Sequence, residues 1–191
     1  TCAAAEGFLI FGNDKGKISC LSADDGKEVW KIETEAPVMS TPMINDGKVY
    51  LGGNDSIYRA LNLTDGTVIW KSNMHTKLAG GSALYLNKSN SKEQVVFGCV
   101  DGSIYSVDIA GGSVIWRFRT SGTVTSTPVI SGDYIYCTSY DSFVYALNAG
   151  TGEMLWSYQL ENKIRTTPIV WKDYLFVAAD DIVYCFTNKT I

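Results

Sequence analysis

Short apolar runs alternate with polar turns along the whole chain. Lys48-Val49-Tyr50-Leu51, Ile57-Tyr58-Arg59-Ala60-Leu61 and Thr67-Val68-Ile69-Trp70 are brief, rich in β-branched and aromatic residues, and separated by Asn-Asp or Asp-Gly pairs, the composition of strands joined by tight turns. The same layout recurs at Tyr134–Thr138, Phe143–Leu147 and Met154–Tyr158. No segment sustains a 3.6-residue apolar period, so the pattern predicts almost no helix.

The runs themselves repeat. Trp30, Trp70, Trp116 and Trp156 are spaced by 40, 46 and 40 residues, and each has a glycine four positions earlier: Gly26, Gly66, Gly112 and Gly152. Ten positions before each tryptophan stands a small residue (Cys20, Ala60, Ser106, Ala146), and eight before it Ser22, Asn62, Asp108 or Asn148. A second landmark keeps step: Ser40-Thr41-Pro42, Ser126-Thr127-Pro128 and Thr166-Thr167-Pro168. The long interval has a local cause, six extra residues within the polar stretch 85–94, which reads as a lengthened loop. Four short antiparallel strands per unit of about 40 residues describe a propeller blade. The repeats are expected at about 7–35, 36–75, 76–121, 122–161 and 162–187. A large indole on the outer strand fills the gap between twisted blades, a glycine lets a turn approach the ring, and the indole N–H needs an acceptor such as a turn carbonyl.

These residues resemble the tryptophan-docking motif Ala-x-Asp-x-x-x-Gly-x-x-x-Trp of the quinoprotein-type, PQQ-like and BamB-like β-propellers. Three copies run from Ala60 to Trp70, Ser106 to Trp116 and Ala146 to Trp156, and a variant from Cys20 to Trp30. The resemblance covers nearly the whole chain and implies an all-β propeller of four-stranded antiparallel blades. Phe8–Phe11 reads as the second strand of a first blade that lacks its inner strand, and Val183–Phe186 as the third strand of a last blade without a docking tryptophan. Eighteen strands are then expected. Because family rings have seven or eight blades, the expected shape is an incomplete arc of about 4–5 blades, with open ends that favour further blades or self-association.

Charge and composition narrow the function. The net charge of −4, with no cluster of Lys or Arg, argues against a nucleic-acid surface. No apolar run reaches the length of a membrane span. Cys2, Cys20, Cys99, Cys137 and Cys185 are odd in number and follow no metal-ligand spacing, and all but Cys2 fall inside expected strands, so no disulfide framework is expected. These thiols suit a reducing compartment, whereas the family resemblance favours an extracytoplasmic one.

Candidate chemistry is sparse. His75 is the lone histidine, so no histidine metal cluster or His-based triad can be built. The carboxylates of Asp24, Asp25, Asp46, Asp65, Asp101, Asp180 and Asp181 fall at turns and read as turn residues. A quinone-dependent dehydrogenase, as the resemblance implies, needs a Cys-Cys pair, which this chain lacks. No catalytic residue, cofactor or metal ligand is therefore assigned. The position three residues before the proline landmark, at the start of the inner strand, varies among otherwise similar repeats: Met39, Gly80, Thr125 and Arg165. In a propeller this end lines the mouth of the axial channel, so Met39, Thr125 and Arg165 are the candidate partner contacts. The expected function is a non-catalytic scaffold that binds a protein or peptide. The alternatives are part of a PQQ-dependent enzyme and a regulatory propeller appended to an adenylate-forming enzyme.

Overall fold

The computed structural model describes residues 1–88 and 90–187, and among them strands are the regular elements and no helix forms. There are five antiparallel sheets, four of four strands and one of three. In order they are β1 (Cys2–Ala5), β2 (Phe8–Gly12), β3 (Lys17–Ser22) and β4 (Glu28–Glu33); then β5 (Met43–Asn45), β6 (Lys48–Gly52), β7 (Ile57–Asn62) and β8 (Val68–Asn73). The third comprises β9 (Ser82–Asn87), β10 (Lys92–Gly98), β11 (Ser103–Asp108) and β12 (Val114–Arg119). The fourth is β13 (Val129–Ser131), β14 (Tyr134–Thr138), β15 (Phe143–Asn148) and β16 (Met154–Gln159), and the last β17 (Ile169–Trp171), β18 (Tyr174–Ala179) and β19 (Ile182–Thr187). Each is an up-and-down meander, the form of a propeller blade. The chain divides into two compact units, residues 1–82 with 110–113, and residues 83–109 with those from 114 onward.

Three expectations need correction. The first blade has its inner strand: β1 pairs with β2 from Cys2↔Phe11 to Ala5↔Phe8, which raises the strand count to nineteen. The alanines have weak strand propensity, but Glu6 and Gly7 both adopt positive φ, as a two-residue type I′ hairpin requires, and backbone pairing supplies what the side chains do not. The extra residues of 85–94 are mostly strand, extending β9 to Asn87 and starting β10 at Lys92. Tyr85 is buried there and its hydroxyl donates to Asp133 (3.0 Å), which gives this polar hairpin a packed side. Finally, Cys99 lies just past the end of β10, where its N–H donates to the Ser103 carbonyl (2.8 Å).

Within the first unit a continuous core joins the first two sheets: Ile10, Ile18, Cys20 and Trp30 meet Val49, Leu51, Leu61 and Leu63 across Val38. The tryptophan is the centre of this joint. Trp30 Nε1 donates to the Leu63 carbonyl (2.8 Å), and a Cβ at Gly66 would stand 2.7 Å from the indole Cδ2. Gly66 also has φ +73, a conformation that other residues rarely adopt. The glycine of one repeat thus packs on the tryptophan of the preceding repeat, not on its own. Gly112 meets Trp70 in the same way, and Ser72 Oγ donates to the Gly112 carbonyl (2.5 Å).

The second unit repeats the joint. Trp116 Nε1 donates to Ala149 O (3.0 Å), and Gly152 lies against the indole face. Tyr85, Val96 and Ile104 pack there with Ile135, Cys137, Tyr145 and Leu147. A further core of Val144, Leu160, Ile164, Leu175, Val177 and Ala179 links the last two sheets. In every four-stranded blade carrying a docking tryptophan, the outer strand has one extra residue just before it (Val29, Ile69, Ile115, Leu155). Such bulges twist an edge strand and discourage further pairing.

Trp156 departs from the expectation that all four indoles are buried. Trp30, Trp70 and Trp116 are 7–9% exposed, whereas Trp156 is half-buried and its Nε1 has no acceptor among the described residues. Neighbouring side chains partly cover it, with Tyr136 and Phe186 ring centroids at 6.1 and 6.0 Å. The last sheet leaves Ile169, Trp171 and Val183 exposed, Val183 at 68%.

Trp116→Ala should lower unfolding free energy by roughly 3–5 kcal/mol, as for a buried aromatic. Trp156→Ala should cost less than half of that, because its ring is only half-buried among the described residues; urea melts of the two variants check the ratio. Cys20, Cys99 and Cys137 are buried free thiols and Cys2 and Cys185 exposed ones. Burial pushes Cys20 and Cys137 up, and Cys99 to about 12, so at pH 8 little thiolate forms at these sites. Ellman's reagent should therefore titrate two thiols in the folded, unreduced protein and all five after unfolding.

Candidate functional site

In the three blades that carry the Ser/Thr-Thr-Pro landmark, the lead-in to the inner strand is tied to the end of the second strand. In the first unit Ser40 Oγ donates to the Gly52 carbonyl (2.6 Å) and accepts from its N–H (3.0 Å). In the second, Ser126 Oγ donates to Thr138 O (3.1 Å), and Thr166 Oγ1 to Ala178 O (2.6 Å). The Ser/Thr-Thr-Pro landmark is therefore a latch that fixes backbone at the blade end where the second and third strands turn. Loops before it are equally pinned: Thr34 N–H donates to Gly16 O, Thr120 N–H to Gly102 O, and Leu160 N–H to Ser142 O.

On this fixed backbone the candidate residues differ in character. Met39, in the first unit, is 51% exposed. Gly80 is buried and presents no side chain. In the second unit Thr125 is half-buried and Arg165 exposed, its guanidinium 5.7 Å from the centre of the Tyr140 ring. Tyr140 was not among the residues singled out by sequence. Its signal was an aromatic residue on a second-to-third-strand turn whose counterparts are Asp14, Asn54 and Val100. Its N–H donates to Thr123 O (2.9 Å), and Thr123 Oγ1 donates to Val100 O (2.9 Å).

The turn carboxylates serve structure. Asp25, Asp65 and Asp101 accept the N–H two residues on, from Lys27, Thr67 and Ser103 (3.2, 2.8 and 2.9 Å). The Thr67 N–H and hydroxyl hold the Asp65 carboxyl below its usual range, and Lys27 does the same for Asp25 through its ammonium and N–H. Asp141 accepts from Phe143 N–H (3.0 Å), Ser121 N–H (2.9 Å) and the Tyr145 hydroxyl (2.7 Å). In the second blade the corresponding Asp55 is paired with Arg59, both buried, and Arg59 Nη1 has no hydrogen-bond partner among the described residues. His75 is an exposed loop residue with φ 56.

Among the described residues no group of three or more His, Cys, Asp or Glu could hold a metal ion. The described residues of the second unit form a broad groove, about 710 Å³, walled by Tyr134, Tyr136, Trp156, Tyr174 and Phe186 with Asp133, Lys172 and Asp173 at its rim. It lies beside the half-buried Trp156, at the blade end away from Arg165 and Tyr140. Among the described residues no helix is long and apolar enough to cross a membrane.

Comparison with known proteins places this geometry. The outer membrane protein assembly factor BamB of Yersinia pestis is 26% identical over 154 residues, 72% of this chain and 38% of that protein. The quinohemoprotein alcohol dehydrogenase ADH-IIG of Pseudomonas putida is 27% identical over 137 residues, 59% of this chain and 19% of the enzyme. In fold, the crystal structure of BamB from Moraxella catarrhalis superposes with a TM-score of 0.81 at 20% identity, covering all of this chain and 58% of that one. The chain thus spans less than two fifths of the length of three BamB relatives that it matches over about 70% of its own length. The family profile described as outer membrane protein assembly factor BamB matches residues 1–190, and with its docked tryptophans and four-stranded blades the chain belongs to that family.

Proposed function

We propose that the chain is a non-catalytic propeller segment that binds a protein partner through the loops leading into its inner strands, with Met39, Thr125 and Arg165 as contacts. One observation carries this reading. The latch holds the backbone of these lead-ins in the same way in both units, while the side chains displayed three residues before the proline are unlike one another. A constant scaffold under variable exposed residues is how binding loops are built. Relatives named as outer membrane protein assembly factors support a role in such an assembly and an extracytoplasmic location.

The match to a quinohemoprotein dehydrogenase favours a second reading, a structural portion of a PQQ enzyme. Mixing the purified chain with PQQ and Ca²⁺ separates the two. A scaffold gives no quinone absorbance in the protein fraction after desalting, whereas stoichiometric retention would favour the enzyme reading.

A photo-crosslinking residue placed at Met39, Thr125 or Arg165 of the full chain should give discrete protein adducts in cells. The same residue at Lys27 or Asp65, on turns at the other ends of the strands, should not. Equal adducts from both sets, or none from the first, would overturn the assignment.

A further inference from the structure

The turn between the first and second strands is closed by the same hairpin pairing in successive blades, but the residues it displays differ. The closing pair is Asn45 and Lys48 in the second sheet, Ser131 and Tyr134 in the fourth, and Trp171 and Tyr174 in the fifth. Asn45 and Lys48 show that the hairpin itself needs no aromatic residue. Tyr134, Trp171 and Tyr174 are nevertheless large rings left exposed to water. Grouped apolar surface of this kind marks a binding site more often than a packing need.

Tyr134 and Tyr174 border the groove of about 710 Å³ in the second unit, a size within the roughly 300–1,000 Å³ of small-molecule sites. Two apart on β14, Tyr134 and Tyr136 share one face of the strand, and their rings stack at 6.4 Å with planes 11° apart. Trp156 and then Phe186 continue the series, at 6.1 and 6.0 Å between centroids. The faces of such rings carry partial negative charge. Full charges stand at the rim. Asp133 is pinned, its carboxylate accepting from the Tyr85 hydroxyl (3.0 Å) and its carbonyl from the Ala149 N–H (2.8 Å). Neither Asp133 nor Asp173 makes an ion pair among the described residues. Lys172, on the same rim, holds its ammonium over the Trp171 ring, 4.4 Å from the centroid, within cation–π range. Two carboxylates against one ammonium leave the rim net negative, and the aromatic surface of this turn already draws an ammonium to itself.

We propose that the groove binds a small soluble cation of the quaternary-ammonium class, its methylated nitrogen against Tyr134, Tyr136 and Trp156 and its charge balanced by Asp133 and Asp173. A quaternary nitrogen has no N–H to satisfy, so rings suit it better than hydrogen-bond acceptors. Its methyl groups bury on aromatic carbon while the ring faces attract its charge. A primary ammonium would be held at the rim by its N–H groups and would leave the rings unused. The net negative rim is repelled by an anionic membrane surface, which favours a solute over a lipid headgroup. The site lies at the blade end away from Arg165 and does not rest on reading the lead-in loops as a partner surface.

The test is an NMR titration of the full chain at matched ionic strength, with choline as the probe and its neutral carbon isostere, tert-butyl in place of trimethylammonium, as the control. Choline should shift the Trp156 Nε1–H and Tyr134 ring signals saturably, and the isostere should bind about fivefold more weakly or worse. Tyr134→Leu and Asp173→Asn, both at exposed positions, should each weaken choline about threefold or more and leave the urea midpoint unchanged. Equal affinity for the isostere, unchanged affinity in either variant, or no saturable shift at Trp156 would overturn the proposal. Binding to phosphatidylcholine vesicles without a response to free choline would also overturn it, by giving the groove to a headgroup.

Discussion

An indole on an outer strand cannot be buried by its own sheet, because a four-stranded blade is too narrow to cover both faces of the ring. In this protein the next repeat covers it. Leu63 and Ala149 supply the carbonyls for Trp30 and Trp116, and Gly66, Gly112 and Gly152 let a turn lie flat on the ring. A side chain at any of these glycines would stand inside the indole, and its backbone would also be strained at φ near +72. The joint therefore works between repeats, and each blade depends on its successor for part of its core. That dependence is the general condition of repeat proteins, whose units cannot bury their apolar faces alone.

Because the joints set blade spacing at the outer edge, the inner end of each blade is free to vary. There the Ser/Thr-Thr-Pro latch grips the main chain of the second strand, so the residues just before it tolerate Met39, Thr125 or Arg165 without disturbing the core. The turn aspartates add a second constant. Asp141 accepts the Tyr145 hydroxyl, and Asp55 pairs with Arg59 at the corresponding site. A buried ion pair is an expensive way to do what a phenol does, since both charges must leave water and one Arg59 nitrogen finds no acceptor among the described residues. Nothing in the structure explains why arginine stands there.

The same fold similarity reaches an assembly factor and an alcohol dehydrogenase. That breadth follows from the division of labour just described. Tryptophan, glycine and latch residues build the blades, and a different activity can be mounted on the loops without touching them. Among the described residues the loop chemistry that stands out is an arginine set over a tyrosine ring, not a cluster of acids, thiols or imidazoles.

Blade number, strand order and the phase of the docking motif were legible in the sequence because they depend on local composition and on a spacing that recurs. The turn role of Asp25, Asp65 and Asp101 was legible for the same reason, since an Asx turn is made within three residues. The inner strand at Cys2–Ala5 was hidden, because its pairing rests on main chain and on the φ of Glu6 and Gly7, and alanines announce neither. Spacing likewise could not say which ring a glycine covers: Gly152 stands four residues before Trp156 yet packs on Trp116. The partnership of Arg165 with Tyr140, 25 residues apart in sequence, was also decided only in three dimensions. Local rules choose the strands and turns, but contacts between repeats are set by how twisted sheets stack, and that is a property of the assembled core.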